Sequence, residues 1–283
     1  MANRTNDKIE KQIIDYYSEG YGVMELSEQF QLHRCTIQRI LHRNNIKLRK
    51  RTPGHYDIHF FDEYSVDSCY WAGFIAADGY VRSDRANVSI HLSVVDIEHL
   101  KKLEKLTNYT GKITVYDNEC CLSFAGEWFP KALAKNFEIY PRKTFDIMLS
   151  DKIPKDMIPH FLRGYFDGDG CVTNVGEYLR ISFTSGSVNL LKQISDFLYN
   201  HGVRVRNEFG VPKISNNCFM TYNCKNAQQI LELLYADSTD STRLDRKYQR
   251  YLQYKLQPNK EIPIFTQDRD YIENTFKIEE ELK

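Results

Sequence analysis

Two short segments of the sequence share one pattern and end in an aspartate followed by a glycine. They read WAGFIAADG, which ends at Asp78 and Gly79, and LRGYFDGDG, which ends at Asp169 and Gly170. Carboxylates are ligands that Mg²⁺ prefers, and a divalent cation can promote hydrolysis of a phosphodiester. Asp78 and Asp169 are therefore the first candidates for catalytic and metal-binding residues.

Small residues recur in each segment at helical spacing. Gly73 and Ala77 are four residues apart, as are Gly164 and Gly168. Residues at this spacing lie on one face of a helix, and small side chains there let two helix backbones approach closely. We expect two helices that pack side by side and bring their aspartates together.

The ends of these predicted helices should form the metal site. Two carboxylates at the negative ends of two helices repel each other, and a divalent cation, Mg²⁺ or Mn²⁺, would relieve that repulsion. The backbone carbonyls of Ala77 and Gly168 could complete the coordination. Gly79 and Gly170, with the conformational freedom of glycine, are expected to permit a sharp exit from each helix.

The similarity extends well beyond the two segments at a constant offset of 91 residues. Apolar positions correspond over more than thirty residues, as in Ile90 with Ile181 and Leu100 with Leu191. This periodicity indicates duplication of one structural unit. Alternating strands such as Val88, Ile90 and Leu92 predict half-exposed antiparallel sheets. The predicted fold class is α+β, a duplicated αββαββα unit preceded by a small all-α domain.

The paired motifs within a repeat resemble the LAGLIDADG homing endonucleases, over residues 60–255. The resemblance implies two antiparallel sheets that form a saddle on DNA, with an acid at the eighth motif position, here Asp78 and Asp169. The sixth position is Ala76 in one copy and Asp167 in the other, and we expect Asp167 to lie behind the metal ligands. Lys143 and Lys247 match the basic residues that flank the site in the family, although both could be ordinary surface lysines.

Polar residues on the outer strand faces are candidates for reading DNA bases, because arginine and other polar side chains contact base edges in the major groove. The candidates in the two halves are Ser89, His91, Lys112, Arg180, Ser182, Thr184, Arg204 and Arg206. Because the halves differ in sequence, we expect a monomer and a long, asymmetric, pseudo-palindromic site in double-stranded DNA.

A small helical module precedes the duplicated region. Its pattern resembles the helix-turn-helix of resolvase-like DNA-binding proteins, but Gln31 stands where glycine is common. The third predicted helix presents basic and polar residues for DNA, namely Arg34, Gln38, Arg39 and Arg43. The alternative is a three-helix bundle that only packs against the rest of the protein.

A basic segment with proline and glycine follows this module and predicts a linker, in which Arg49 and Arg51 could contact phosphates. Its alternative is a solvated connection. The predicted boundaries are residues 1–48 for the helix-turn-helix domain, 49–59 for the linker, 60–159 and 160–257 for the two halves, and 258–283 for an acidic tail.

Composition limits the other possibilities. The net charge is zero, but seven basic and no acidic residues lie between Gln31 and Arg51, which favours a local contact with nucleic acid. No apolar run is long enough to span a membrane, and no targeting signal is visible, so we expect a cytoplasmic protein of a bacterial or phage-infected cell. The seven cysteines contain no CxxC pair, which argues against a zinc site.

These observations predict a metal-dependent endodeoxyribonuclease that makes site-specific double-strand breaks and promotes the mobility of its own intron or gene. Two alternatives remain on the same scaffold. One is a DNA-binding transcription regulator that does not cleave, and the other is a maturase that binds intron RNA.

Overall fold

The structure is a computed structural model that describes residues 7–19, 21–48, 54–84, 86–175, 178–204 and 218–255. The chain divides into two compact units, Met1–Thr52 and Pro53–Lys283. Arg49, Arg51, Arg206 and the predicted acidic tail lie outside the described residues. No helix among the described residues is long and apolar enough to cross a membrane.

The described residues of the first unit form three helices: α1 (Asp7–Glu19), α2 (Val23–Gln29) and α3 (Arg34–Arg43). Their apolar faces meet in a small core of Ile13, Tyr17, Leu26, Ile37, Ile40 and Leu41. Gln31 has a φ of 51° in the turn before α3. This is the left-handed region that favours glycine, which explains why glycine is common at this position in the turn of helix-turn-helix proteins.

The first half of the second unit has the order helix, two strands, helix, two strands, helix. Its elements are α4 (Val66–Asp78), β1 (Gly79–Val81), β2 (Asn87–Ser93), α5 (Ile97–Leu106), β3 (Thr114–Tyr116), β4 (Glu119–Ala125) and α6 (Trp128–Phe137). The strands form an antiparallel sheet in the order β1-β2-β4-β3. Val88 and Ile90 are fully buried on its inner face, as the alternating pattern predicts. Ser89, expected on the outer face, is also buried because neighbouring strands cover it.

The described part of the second half follows the same order as far as its second helix, which is followed by one strand, a third helix and a closing helix. Its elements are α7 (Ile158–Asp169), β5 (Gly170–Val175), β6 (Tyr178–Ser185), α8 (Val188–Asn200), β7 (Cys218–Asn223), α9 (Cys224–Tyr235) and a closing helix α10 (Asp245–Lys255). The antiparallel sheet has the order β5-β6-β7. A further strand that the sequence predicts at residues 203–207 falls largely outside the described residues. The predicted α+β fold with two antiparallel sheets is confirmed.

Residues 54–59, which the sequence analysis places in a linker, pack on the first sheet. The backbone N–H of Asp57 donates to the carbonyl of Thr107 at 2.7 Å, and that of His55 donates to the Thr110 hydroxyl at 2.8 Å. The Tyr56 ring packs edge-on against Phe124 and Phe129. Aromatic burial and backbone pairing therefore make this segment part of the sheet unit.

Candidate functional site

Helices α4 and α7 pack together through glycines. A Cβ atom on Gly73 would lie 1.9 Å from the carbonyl oxygen of Phe161, and one on Gly164 would lie 1.9 Å from that of Tyr70. These separations are far below any van der Waals contact, so only glycine fits at either position. A Cβ on Gly168 would lie 2.4 Å from the Cβ of Ala77, so the same close approach continues toward the C-terminal ends.

The two helices end side by side, and this brings Asp78 and Asp169 together. A Cβ on Gly168, next to Asp169, would lie 3.2 Å from Oδ2 of Asp78. Burial and the charge of Asp169 raise the pKa of Asp78 to about 6. Burial also raises the pKa of Asp169, and the positive charges of Lys143 and Lys247 partly offset the effect. Each carboxylate is therefore poorly compensated in its ionised form.

The glycines that follow the aspartates have a different role from the predicted one. Gly79 has φ −81° and ψ 147°, and Gly170 has φ −92° and ψ 162°, so both are extended and any residue could adopt their backbone angles. The conformational freedom of glycine is therefore not what these two positions require. A Cβ on Gly79 would lie 2.6 Å from the Ile75 carbonyl oxygen, and one on Gly170 would lie 2.4 Å from that of Phe166. Lack of space requires glycine here.

Lys143 lies in a 3₁₀ turn (Lys143–Phe145) between the two halves. It lines a cleft together with Ala77, Tyr165, Asp169, Thr184 and Gly186. Burial lowers the pKa of the Lys143 ammonium, while the charges of Asp169 and Asp78 oppose that shift. Lys143 is thus electrostatically coupled to both aspartates from within the cleft.

Lys247 lies in α10 and is only 4% exposed. Its Nζ donates to the carbonyls of Phe166 at 2.7 Å and Asp167 at 2.8 Å, and also to those of Gly168 and Gly170 at 3.3 and 2.5 Å. The ammonium therefore satisfies the free carbonyls at the C-terminal end of α7. Burial lowers the pKa of Lys247 to about 8, although the charge of Asp167 works in the opposite direction. Lys143 thus lines the cleft beside the aspartates, whereas Lys247 is fixed by hydrogen bonds to backbone carbonyls.

The donors around the two aspartates fit a divalent cation. Two half-buried carboxylates with raised pKa values lack enough positive charge, and hard oxygen donors suit Mg²⁺ or Mn²⁺. The Gly168 carbonyl already accepts from Lys247, so the carboxylates are the stronger ligands. Within the described residues, no group of three or more His, Cys, Asp or Glu side chains is arranged to hold a metal ion. A cation would therefore depend on this pair and on backbone oxygens.

Asp167 is directed away from the cleft and is 1% exposed. It accepts hydrogen bonds from the hydroxyls of Tyr70 at 2.8 Å and Tyr235 at 2.5 Å, and from the backbone N–H of Leu244 at 2.7 Å. Burial raises the pKa of Asp167. Its place behind the paired aspartates agrees with the position expected from the motif.

Arg163, which is also 1% exposed, was not among the residues predicted from the sequence. Its guanidinium donates to the carbonyls of Thr242 at 2.7 Å and Leu234 at 2.8 Å. The available signal was a charged residue four positions before a second charged residue, Asp167, on one face of a helix. A buried arginine needs acceptors nearby, and here backbone carbonyls from distant parts of the chain supply them.

Those predicted base-reading residues that the structure describes lie on the two sheets and at their ends. His91 and Lys112 are exposed in the first half, and Arg204 is exposed in the second. Nδ1 of His91 lies 2.9 Å from Oε1 of Glu119. Nε of Arg180 donates to Oδ1 of Asn223 at 2.9 Å, across neighbouring strands. Ser182, on the same strand as Arg180, is half-buried.

In the N-terminal unit, Arg34, Gln38 and Arg39 are exposed along α3. Arg43 is also exposed, but its guanidinium pairs with the carboxylate of Glu10 on α1. Arg43 therefore ties two helices together, whereas Arg34 and Arg39 present their charge to solvent.

Comparisons with known proteins agree with this architecture. Residues 156–235, less than half of the chain, match the sequence profile of the LAGLIDADG-like domain. No curated protein matches the sequence. Among solved structures, a lysine-to-alanine variant of I-SmaMI is 12% identical, with a TM-score of 0.50, and the match covers 73% of this chain and 96% of that one.

Two further structures are similar at lower TM-scores. The I-SmaMI LAGLIDADG homing endonuclease bound to cleaved DNA is 12% identical, with a TM-score of 0.46 and coverage of 66% and 87%. The I-LtrWI LAGLIDADG homing endonuclease bound to target DNA is 11% identical, with a TM-score of 0.47 and coverage of 77% and 96%.

The fold and the paired helix ends define a protein of two fused, related halves. The second half matches the profile of the LAGLIDADG-like domain, and the chain has the fold of the LAGLIDADG homing endonucleases. The family resemblance indicated by the motifs is therefore confirmed.

Proposed function

We propose that this protein is a site-specific DNA endonuclease of the homing type, which hydrolyses one phosphodiester in each strand of a double-stranded target with Mg²⁺ or Mn²⁺. One observation carries the proposal most strongly. Asp78 and Asp169 are both present and lie together at the ends of the two closely packed helices, beside the cleft that Lys143 lines. A scaffold without catalysis would not need to keep two mutually repelling carboxylates in a partly buried site.

The carboxylates of Asp78 and Asp169, with the carbonyls of Ala77 and Gly168, would hold the cation. When bound, a divalent cation polarises the phosphate and lowers the pKa of a water molecule. Lys143 reaches the same cleft and would stabilise negative charge that develops on the phosphate. Lys247 neutralises the C-terminal end of α7 and so reduces the cost of placing Asp169 there.

Binding of DNA by the outer faces of the sheets is supported by the polar residues on those faces. His91, Arg180 and Ser182 lie on β2 and β6, and the pairing of Arg180 with Asn223 orients its guanidinium before DNA binds. The relatives solved with DNA carry this fold. The halves differ in every one of these residues, which supports an asymmetric target read by a monomer. Arg34 and Arg39 of the N-terminal unit would extend the contact along the phosphates.

The experiment uses a plasmid library that carries random inserts and the DNA that flanks the gene. The full-length protein is added with Mg²⁺, and linearised plasmids are recovered and sequenced. The proposal predicts one enriched asymmetric site, cut in both strands, with no product when a chelator replaces Mg²⁺. Binding to duplex DNA without any product in Mg²⁺ or Mn²⁺ would instead favour a transcription regulator, and preferential binding of intron RNA would favour a maturase.

A further inference from the structure

The second half contains a buried polar contact between α7 and a segment that leads into α10. We call residues 242–244 the strap. Arg163 donates to the Thr242 carbonyl at 2.7 Å, and Asp167 accepts from the Leu244 N–H at 2.7 Å. Because Arg163 and Asp167 are four residues apart, they lie on one face of α7 and hold the strap at both of its ends.

The strap determines where Lys247 is placed. Helix α10 begins at Asp245, and the backbone N–H of Lys247 donates to the Leu244 carbonyl at 3.0 Å in its first turn. Lys247 then reaches back to the carbonyls at the end of α7. Asp167 therefore anchors the start of the helix whose third residue carries the ammonium.

The contact is specific to one half of the protein. At the constant offset of 91 residues, Arg163 corresponds to Ala72 and Asp167 corresponds to Ala76. Alanine cannot hold a strap through hydrogen bonds, and Lys143 lies in a 3₁₀ turn instead of a helix. The two lysines beside the candidate site are consequently positioned by different means.

From these contacts we propose that Asp167 is a positioning residue that fixes the Lys247 ammonium at the end of α7 through the strap, and that it thereby supports cleavage of one DNA strand more than the other. The strand preference rests on the proposed function, whereas the placement of Lys247 does not. Tyr70 and Tyr235 complete the site by donating to the same carboxylate. With three donors, the buried carboxylate has enough partners to stay in place.

The first test measures the accessibility of Lys247 in the metal-free, full-length protein. An amine-specific acylating reagent is applied briefly, and modification of Lys247 is compared by mass spectrometry with that of the exposed Lys101. In Asp167→Asn we expect modification of Lys247 to be about tenfold faster or more. The variant leaves a buried donor without an acceptor, which destabilises the closed state and raises the population of locally open molecules by about this factor. Tyr235→Phe removes a single hydrogen bond to Asp167 and should increase the rate of Lys247 modification by less. It replaces Asp167→Asn in this test if that variant does not fold.

Asn136→Ala is the matched control. Asn136 is a buried polar residue of the first half, and its amide donates to the Phe61 carbonyl at 2.8 Å. This variant should lose stability without changing the modification of Lys247. If Asp167→Asn and Tyr235→Phe leave Lys247 as protected as in the wild type, or if Asn136→Ala exposes it equally, the positioning role is wrong.

The second test measures the cleavage rate of each strand on the recovered target, with a different label on each strand. Asp167→Asn and Lys247→Met should slow the same strand more than the other, and the double variant should be no slower than Lys247→Met alone. Equal slowing of both strands would overturn the strand preference. If the wild type cuts no DNA but Lys247 becomes accessible in Asp167→Asn, the proposed function fails and the placement of Lys247 stands.

Discussion

Gly73 and Gly164 each lie against the backbone of the opposite helix, so that a Cβ on either would come within 1.9 Å of a carbonyl oxygen. The contact is reciprocal, as expected for two related halves that pack about a pseudo-twofold axis. It sets the distance between α4 and α7 and therefore the separation of Asp78 and Asp169.

The first prediction concerns this contact. Gly164→Ala should lower the free energy of unfolding by about 3 kcal/mol, because the added methyl group must displace a helix backbone and not a flexible side chain. Thermal or denaturant unfolding of the full-length protein measures the change. Gly22→Ala is the control, since a Cβ on Gly22 would meet Glu25 at 3.4 Å, an ordinary contact. Equal stability of the two variants would contradict the close packing.

The second prediction concerns pH. Because the pKa of Asp78 is raised to about 6 in the folded protein, protonated Asp78 favours folding, and this stabilisation is lost as the pH rises through 6. In the metal-free protein, Asp78→Asn should therefore be more stable than the wild type at pH 8, by on the order of 2–3 kcal/mol. The difference should shrink toward pH 4.

Addition of Mg²⁺ to the wild type and to Asp78→Asn should change their stabilities by different amounts. The cation should raise the unfolding temperature of the wild type at pH 8 and have much less effect on Asp78→Asn, because one ligand is lost. If the metal-free wild type is more stable than Asp78→Asn at pH 8, the ionised carboxylates of Asp78 and Asp169 do not destabilise the folded protein.

The third prediction separates the two lysines. Lys143→Met should abolish or strongly reduce cleavage with little change in stability, because the ammonium lies in the cleft and caps no helix. Lys247→Met should reduce cleavage and also lower the free energy of unfolding by about 2–3 kcal/mol, because it leaves the carbonyls at the end of α7 without their donor. Unfolding curves and cleavage rates measured on both variants test this, and equal stability losses would contradict it.

The fourth prediction concerns the N-terminal unit. Replacing Arg34 and Arg39 by alanine should weaken binding to duplex DNA and lower the slope of log affinity against log salt by about 2, which is the loss of two phosphate contacts. Arg43→Ala should mainly destabilise the unit, because Arg43 pairs with Glu10. Binding measured over a range of salt concentrations distinguishes these effects. An unchanged slope would show that Arg34 and Arg39 of α3 do not contact the DNA phosphates.

The duplicated fold and the aspartate pair could be predicted because their signals are local and repeated. Glycine spacing predicts close helices, and alternation predicts strands, from a few neighbouring residues. The strap could not be predicted, since Arg163 and Asp167 bind backbone groups of residues 242–244, and a backbone group leaves no mark in the sequence. The role of Gly79 was predicted wrongly for a related reason. A glycine can be required by its backbone conformation or by a lack of space for a side chain, and the sequence does not distinguish the two. At Gly79 the nearby carbonyl of Ile75 shows that lack of space is the reason.

The catalytic role of the aspartate pair is tested most directly by cleavage of the recovered target by Asp78→Asn and Asp169→Asn in Mg²⁺, together with binding of the same DNA. We expect that the wild type breaks both strands, that each variant has lost double-strand cleavage, and that both variants bind the target as tightly as the wild type. Undiminished cleavage by either variant would show that the paired aspartates do not form the catalytic site.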